Sequence, residues 1–239
     1  MIEEDSQTMS ATAMGIAGHE RALRFWNTTI GKKAVMAVSG LALAGFVVAH
    51  LLGNLQIFMG ADQFNGYARA LRRLPELLWT VRILLTVMVL LHIWSSVQLA
   101  VLKSEARPIR YVKYESSDST YASRTMYWSG PISAAFVVYH LMQFTFGNGG
   151  TPHDPFDAYG NVIAGFKVIP VSVFYIVAIA LLCIHLRHGL WSLLQTLGFH
   201  HPRYTPRLKK AAGLVSFLIF VGFVSIPIAV LLRMIPRTF

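Results

Sequence analysis

SGLALAGFVVAH, residues 39–50, returns ninety positions later as SGPISAAFVVYH, residues 129–140. Serine, glycine, a Phe-Val-Val triplet and a closing histidine recur at the same offsets, and each copy lies inside an apolar run. A helix crossing the hydrocarbon core needs about 20 largely apolar residues. Five stretches qualify: Ala34 to Met59, Ile83 to Leu102, Tyr127 to Phe146, Val168 to Leu194, and Ala212 to Met234. Between them stand chain breakers, namely Gly60 with Asp62 and Asn65, then Pro108, then GNGGTPHDP, then HHPRYTP. The expected fold is all-α, a membrane protein of five transmembrane helices whose first four form an up-down bundle. Residues 1–33 would be a tail and residues 34–239 the membrane domain.

Composition agrees with a bilayer as solvent. Of 239 residues 54% are hydrophobic and 13% charged, with a mean hydropathy of +0.51. The net charge of +10 does not point to nucleic acid, because the basic residues sit in short clusters between apolar runs, where topology is encoded. One cysteine, Cys183, lies within FYIVAIALLCIH, which excludes an internal disulfide and suggests no thiolate metal site. The first twenty residues, MIEEDSQTMSATAMGIAGHE, lack the basic start and apolar centre of a secretory signal, and read as a retained cytoplasmic tail.

Orientation follows from lysine and arginine. One side would hold Arg21, Arg24, Lys32 and Lys33, then Lys103, Arg107, Arg110, Lys113 and Arg124, then Arg187, Arg203, Arg207, Lys209 and Lys210, fourteen in all. The other would hold Arg69, Arg72, Arg73, Arg82, Lys167, Arg233 and Arg237, which is seven. The positive-inside rule therefore places the N-terminus in the cytoplasm.

Ionisable residues inside spans are costly and functional by default, and here they are nearly all histidine. The first four spans contain His50, His92, His140, and the pair His185 and His188; the fifth contains none. His19, His153, His200 and His201 fall outside the spans. Spans one and three run outward with His50 and His140 late in them. Spans two and four run inward with His92 and His185 past the middle. In an up-down four-helix bundle spans one and three are diagonal, as are two and four. Depth and diagonal together pair His50 with His140 toward the outer leaflet and His92 with His185 toward the inner. Two histidines meeting from opposite helices leave room for a flat macrocycle, the arrangement that holds a bis-histidine haem. Two such points imply two haem b groups, whose irons have no vacant site and therefore transfer electrons.

Other readings of the same residues exist. A single intramembrane histidine commonly bonds a neighbouring helix, and a proton relay can use histidines, although it usually places Asp or Glu beside them. His188, three residues after His185, is the alternative fourth ligand; as a non-ligand it would bond a propionate or a quinone. Gly40 and Gly130 precede their histidines by ten residues, roughly 15 Å of helix, which sets them at the inner-haem level, where a missing Cβ would let the helices close on the macrocycle. Arg187 and Lys167 lie near the inner and outer haem levels, as propionate partners or as headgroup-seeking side chains. Trp26, Trp79, Trp128 and Trp191 read as interfacial anchors.

With those residues in place, the chain resembles the single-chain dihaem cytochrome b subunit of succinate:quinone oxidoreductases. The resemblance runs over all five spans and rests on HLLGNLQIFMG from His50, FNGYARAL from Phe64, the isolated His92, His140, and HLRHGLWSLLQTLG from His185. The His-x-x-x-Gly-Leu form beginning at His185 favours it over His188 as the ligand. The resemblance implies a multi-pass anchor in the bacterial cytoplasmic membrane, bound to a flavoprotein that carries FAD and to an iron-sulfur subunit that carries the clusters. Electrons would enter the inner haem, and a quinone, menaquinone in many dihaem members, would be the membrane-side substrate. The chain itself has neither a Gly-x-Gly-x-x-Gly flavin fingerprint nor a cysteine cluster. For the quinone, Glu76 on the outer side is one candidate, and Ser39, with Trp26 and Arg24, marks the inner side; the plain reading of Glu76 is a solvated loop carboxylate. Alternatives are the cytochrome b anchor of a hydrogenase or formate dehydrogenase, and a haem-free transporter or structural anchor.

Overall fold

A computed structural model describes residues 25–106 and 125–235. The expected tail up to residue 24, the loop charges Arg107, Arg110, Lys113 and Arg124, and Arg237 lie outside the described residues. The helices are α1 (Thr29–Leu55), α2 (Ala61–Arg72), α3 (Pro75–Glu105), α4 (Met126–Phe144), α5 (Ala158–Lys167), α6 (Ile169–Thr196) and α7 (Thr205–Leu231). A 3₁₀ turn, Gln56–Met59, extends α1. Among the described residues four helices are long and apolar enough to cross a membrane: Thr29–Met59, Pro75–Glu105, Ile169–Thr196 and Thr205–Leu231. The other long helix, α4, has 19 residues.

Local chemistry sets several of the helix ends. Thr28 caps α1 by accepting from the Gly31 amide at 3.0 Å, and Asp157 caps α5 by accepting from the Gly160 amide at 2.9 Å. Each satisfies a donor that the first turn leaves without a partner. Pro75, Pro170 and Pro206 stand in the first turns of α3, α6 and α7, where a missing N–H costs nothing. Gly60 takes a φ of 98° between the 3₁₀ turn and α2, a conformation that a side chain would strain.

Around the bundle, α1 packs on α3 and on α6, and α4 packs on α6. That order leaves α1 diagonal to α4 and α3 diagonal to α6. Helix α7 lies along α6 and also touches α1. The buried apolar core runs along the α5–α6–α7 side, through Tyr159, Ile163, Phe166, Tyr175, Ile179, Ile219, Val224 and Ile226, and reaches Leu51 and Ile57 of the α1 end. Helix α3 differs: Leu84, Val87, Leu90, Ile93, Val97 and Val101 are all exposed. An apolar stripe at this three-to-four-residue spacing is what a lipid-facing helix presents.

The two short helices were not foreseen from the sequence. They occupy one end of the bundle and lock together, with Asn65 of α2 as the hub. Its amide donates to the Asp157 carboxylate at 2.9 Å, and its carbonyl oxygen accepts from the Tyr159 amide at 3.0 Å. Arg72 reaches the Pro155 carbonyl, and Phe64 meets the Tyr159 ring edge-on. Ser172 then donates to the Phe166 carbonyl at 2.6 Å, fixing the turn from α5 into α6. These bonds close one end of the bundle with satisfied polar groups. Asn65→Ala breaks both hub bonds and should destabilise the protein by about 1–3 kcal/mol. The check is a lower midpoint in a thermal melt of the detergent-solubilised chain; an unchanged midpoint would show that the hub contributes nothing.

Candidate histidine pairs in the bundle

His50 lies near the end of α1 and His140 near the end of α4, and their ring centroids are 5.7 Å apart with planes at 85°. His92 of α3 and His185 of α6 have centroids 6.2 Å apart and planes at 61°. Each pair joins diagonal helices. His185, rather than His188, makes the ring contact with His92. All four rings are half-buried.

The glycines fix the relative levels of the pairs. A Cβ at Gly40 would stand 3.2 Å from Cε1 of His92, and one at Gly130 3.9 Å from Cε1 of His185. The first glycine of each repeat therefore sits against the pair to which its own helix contributes no histidine. Since Gly40 and His50 share α1, the two pairs lie roughly 15 Å apart along the bundle. The repeat carries two functions on one helix: Ser-Gly at one level and histidine at the other.

The His50–His140 pair is set among aromatic rings. Phe46 stacks on His50 at 5.2 Å, and Phe223 of α7 approaches to 6.1 Å. Phe136, Phe144 and Tyr175 surround His140. The Tyr175 hydroxyl lies 3.3 Å from Nδ1 of His140 and donates to Oε1 of Gln143 at 2.8 Å. Gln143 in turn reaches the Thr151 hydroxyl at 3.3 Å. Around the second pair the neighbours are serines. Ser39 Oγ is 3.2 Å from Nδ1 of His92, and Ser129 Oγ is 3.4 Å from Nδ1 of His185.

The remaining candidates differ in where they lie. Ser39 is 1% exposed, with its hydroxyl held between the His92 ring and the Val35 carbonyl, so it faces an imidazole and not an open headgroup region. Glu76 is exposed in the first turn of α3, where a carboxylate favours the helix dipole. Arg187 is exposed, its guanidinium over Gly213 of α7. Lys167 ends α5, also exposed. His188 is half-buried one turn beyond His185. Tyr175 and Gln143 were missed by sequence reasoning, although a glutamine in an apolar run, here 2% exposed, was a signal available to it.

The donor set can be tested against a haem. Two imidazoles bound to opposite sides of one metal, each at about 2 Å, place their centroids about 6 Å apart; both pairs have that separation. Among the described residues no three His, Cys, Asp or Glu side chains gather. Each pair could offer a metal two ligands, and the others would have to come from a macrocycle. Gly40 leaves bare the place that a Cβ would fill beside His92. Ser133, one turn from Ser129, carries the one buried side-chain oxygen or nitrogen without a hydrogen-bond partner among the described residues. A polar atom of a bound group would satisfy it. The residues present fit a haem at each level.

Residues 103–225 match a family model described as the succinate dehydrogenase/fumarate reductase transmembrane subunit. The match covers just over half of the 239 residues and includes α4, α5, α6 and most of α7, hence His140 and His185 but not His50 or His92. No curated protein and no solved structure gave a significant match. Four helices fit to cross a membrane and this match together show that the chain belongs to the succinate dehydrogenase/fumarate reductase transmembrane subunit family.

Proposed function

We propose that the chain is a dihaem cytochrome b anchor, which carries electrons between an iron-sulfur subunit and a membrane quinone. The observation that carries the reading is the double crossing of the bundle: two histidine pairs, at 5.7 Å and 6.2 Å, on the two diagonals and at two levels. His50 and His140 would hold one haem b, His92 and His185 the other. Haem supplies a one-electron couple at iron, and two protein ligands per iron leave no position for substrate. The protein's part is to fix the imidazoles, to surround one pair with Phe46, Phe136, Phe144 and Phe223, and to keep the levels in line across the membrane. In this reading α4 is the fifth span, since 19 residues of helix reach about 28 Å, close to the thickness of the hydrocarbon core.

Family membership supports a flavoprotein partner carrying FAD, an iron-sulfur partner, and succinate or fumarate chemistry on those partners, with a quinone at the anchor; menaquinone is the candidate by resemblance to dihaem members. The positive-inside count supports a cytoplasmic N-terminus in a bacterial inner membrane, with the His92–His185 pair toward the cytoplasm as the point of electron entry. Glu76 remains the candidate for quinone protonation on the outer side, and Arg187 and Lys167 remain the candidate propionate partners. Glu76→Gln tests the first: quinone turnover by the complex should fall, and full turnover would dismiss it.

The ligand choice within α6 has its own test. His188→Ala should retain both haems at parental ratio in the purified protein, whereas His185→Ala should lose one. Pyridine haemochrome quantitation against protein measures it, and the opposite result would transfer the ligand role to His188.

A further inference from the structure

We infer that Ser39 and Tyr175 are positioning residues that lock the His92 and His140 imidazoles in the Nδ1–H tautomer, and that these hydroxyls, with Ser129 beside His185, set the potential of each haem separately. The inference rests on the haem reading above and goes further, by assigning these hydroxyls to ligands of particular pairs.

Ser39 Oγ donates to the Val35 carbonyl at 2.7 Å and also approaches the Met36 carbonyl at 3.2 Å. Its one proton is thus spent on backbone, and it can meet Nδ1 of His92 at 3.2 Å only with a lone pair. Nδ1 must then carry the hydrogen, which leaves Nε2 bare for a metal. Tyr175 repeats the logic on the other diagonal. Its phenol donates to Gln143 Oε1 at 2.8 Å, so at 3.3 Å from Nδ1 of His140 it accepts. Ser129 occupies the repeat position of Ser39 and faces Nδ1 of His185 at 3.4 Å. Ser39 and Ser129 are each 1% exposed, so water does not replace either hydroxyl without rearrangement.

A ligating histidine that donates its second N–H to a fixed acceptor is held in orientation and is a more basic ligand. Greater basicity favours the ferric state and lowers the reduction potential. The His92 ring has the Ser39 oxygen as such an acceptor, the His140 ring has the phenol, and Ser129 stands within hydrogen-bond distance of Nδ1 of His185.

The test uses purified full-length protein and a redox titration that follows each b-type signal. Ser39→Ala and Ser129→Ala should each raise the potential of the haem held by His92 and His185, and the double variant should raise it further, with the other haem unmoved. Tyr175→Phe should raise only the haem held by His50 and His140. The low-spin ferric EPR signal of the affected haem should shift with it. If Ser39→Ala loses its haem outright, Ser39→Thr decides: retention of that haem near the parental potential supports the hydroxyl's role, and loss overturns it. Two haems present with both potentials unmoved, or moved equally by every variant, would overturn this inference alone. A parent protein that binds no haem would remove the functional reading beneath it.

Discussion

Purified His50→Ala protein should contain about half the haem of the parent, or the same haem with one low-spin signal gone, and His140→Ala should lose that same signal. These two imidazoles would be the chain's only bonds to that haem, so removing one should release the haem or change its spin state. The second pair, roughly 15 Å along the bundle, shares no ligand with the first and should retain its spectrum. His92→Ala and His185→Ala should remove the other signal. The pairing is specific because the rings meet across the diagonals, His50 with His140 and His92 with His185. EPR of the four oxidised variants checks it. Any other partition of the four, such as His50 grouping with His92, would contradict the bundle geometry.

The second large effect is expected at Gly40. A Cβ there already comes within 3.2 Å of His92 Cε1, and the branched end of a leucine must go further into the same space. Overpacking of this kind typically costs about 1–3 kcal/mol, and here it falls on the ring that would bind iron. Gly40→Leu should therefore lose the haem of His92 and His185 while the protein keeps that of His50 and His140, although residue 40 is on the same helix as His50. Gly130→Leu should act on the same haem and more mildly, since its Cβ would clear His185 by 3.9 Å. Haem content with EPR of the residual signal measures both. Equal loss of both haems, or loss of the one held by His50, would place the glycines elsewhere in the design.

The pairing was legible in the sequence because depth along a helix and alternation of direction are both encoded there. His50 and His140 close matching repeats, while His92 and His185 both lie on runs that cross in the direction opposite to those two. The contacts of Ser39 with His92 and of Ser129 with His185 span 53 and 56 residues, and no spacing rule gives the rotation of one helix about its axis against another. The repeat displayed both serines without saying what they touch. Tyr175 was hidden for the same reason, inside an apolar run that reads as lipid or core.

The short helices escaped for a different reason. In α2 only Phe64 is buried, and ADQFNGYARALR reads as a polar connection. In α5 the sequence from Asp157 looks like the end of a loop followed by the start of a span, yet Tyr159, Val162, Ile163 and Phe166 are buried. What separates α5 from α6 is the extended Val168 just before Pro170, a break that hydropathy alone does not register.

The central claim is that this chain, by its own histidines, holds two b-type haems. A reduced-minus-oxidised spectrum of the purified protein, expressed with haem supplied and quantified by pyridine haemochrome, tests it most directly. The account predicts a b-type difference band and a ratio of about two haems per chain. A colourless parent protein, or a parent that binds only one haem per chain, would contradict it.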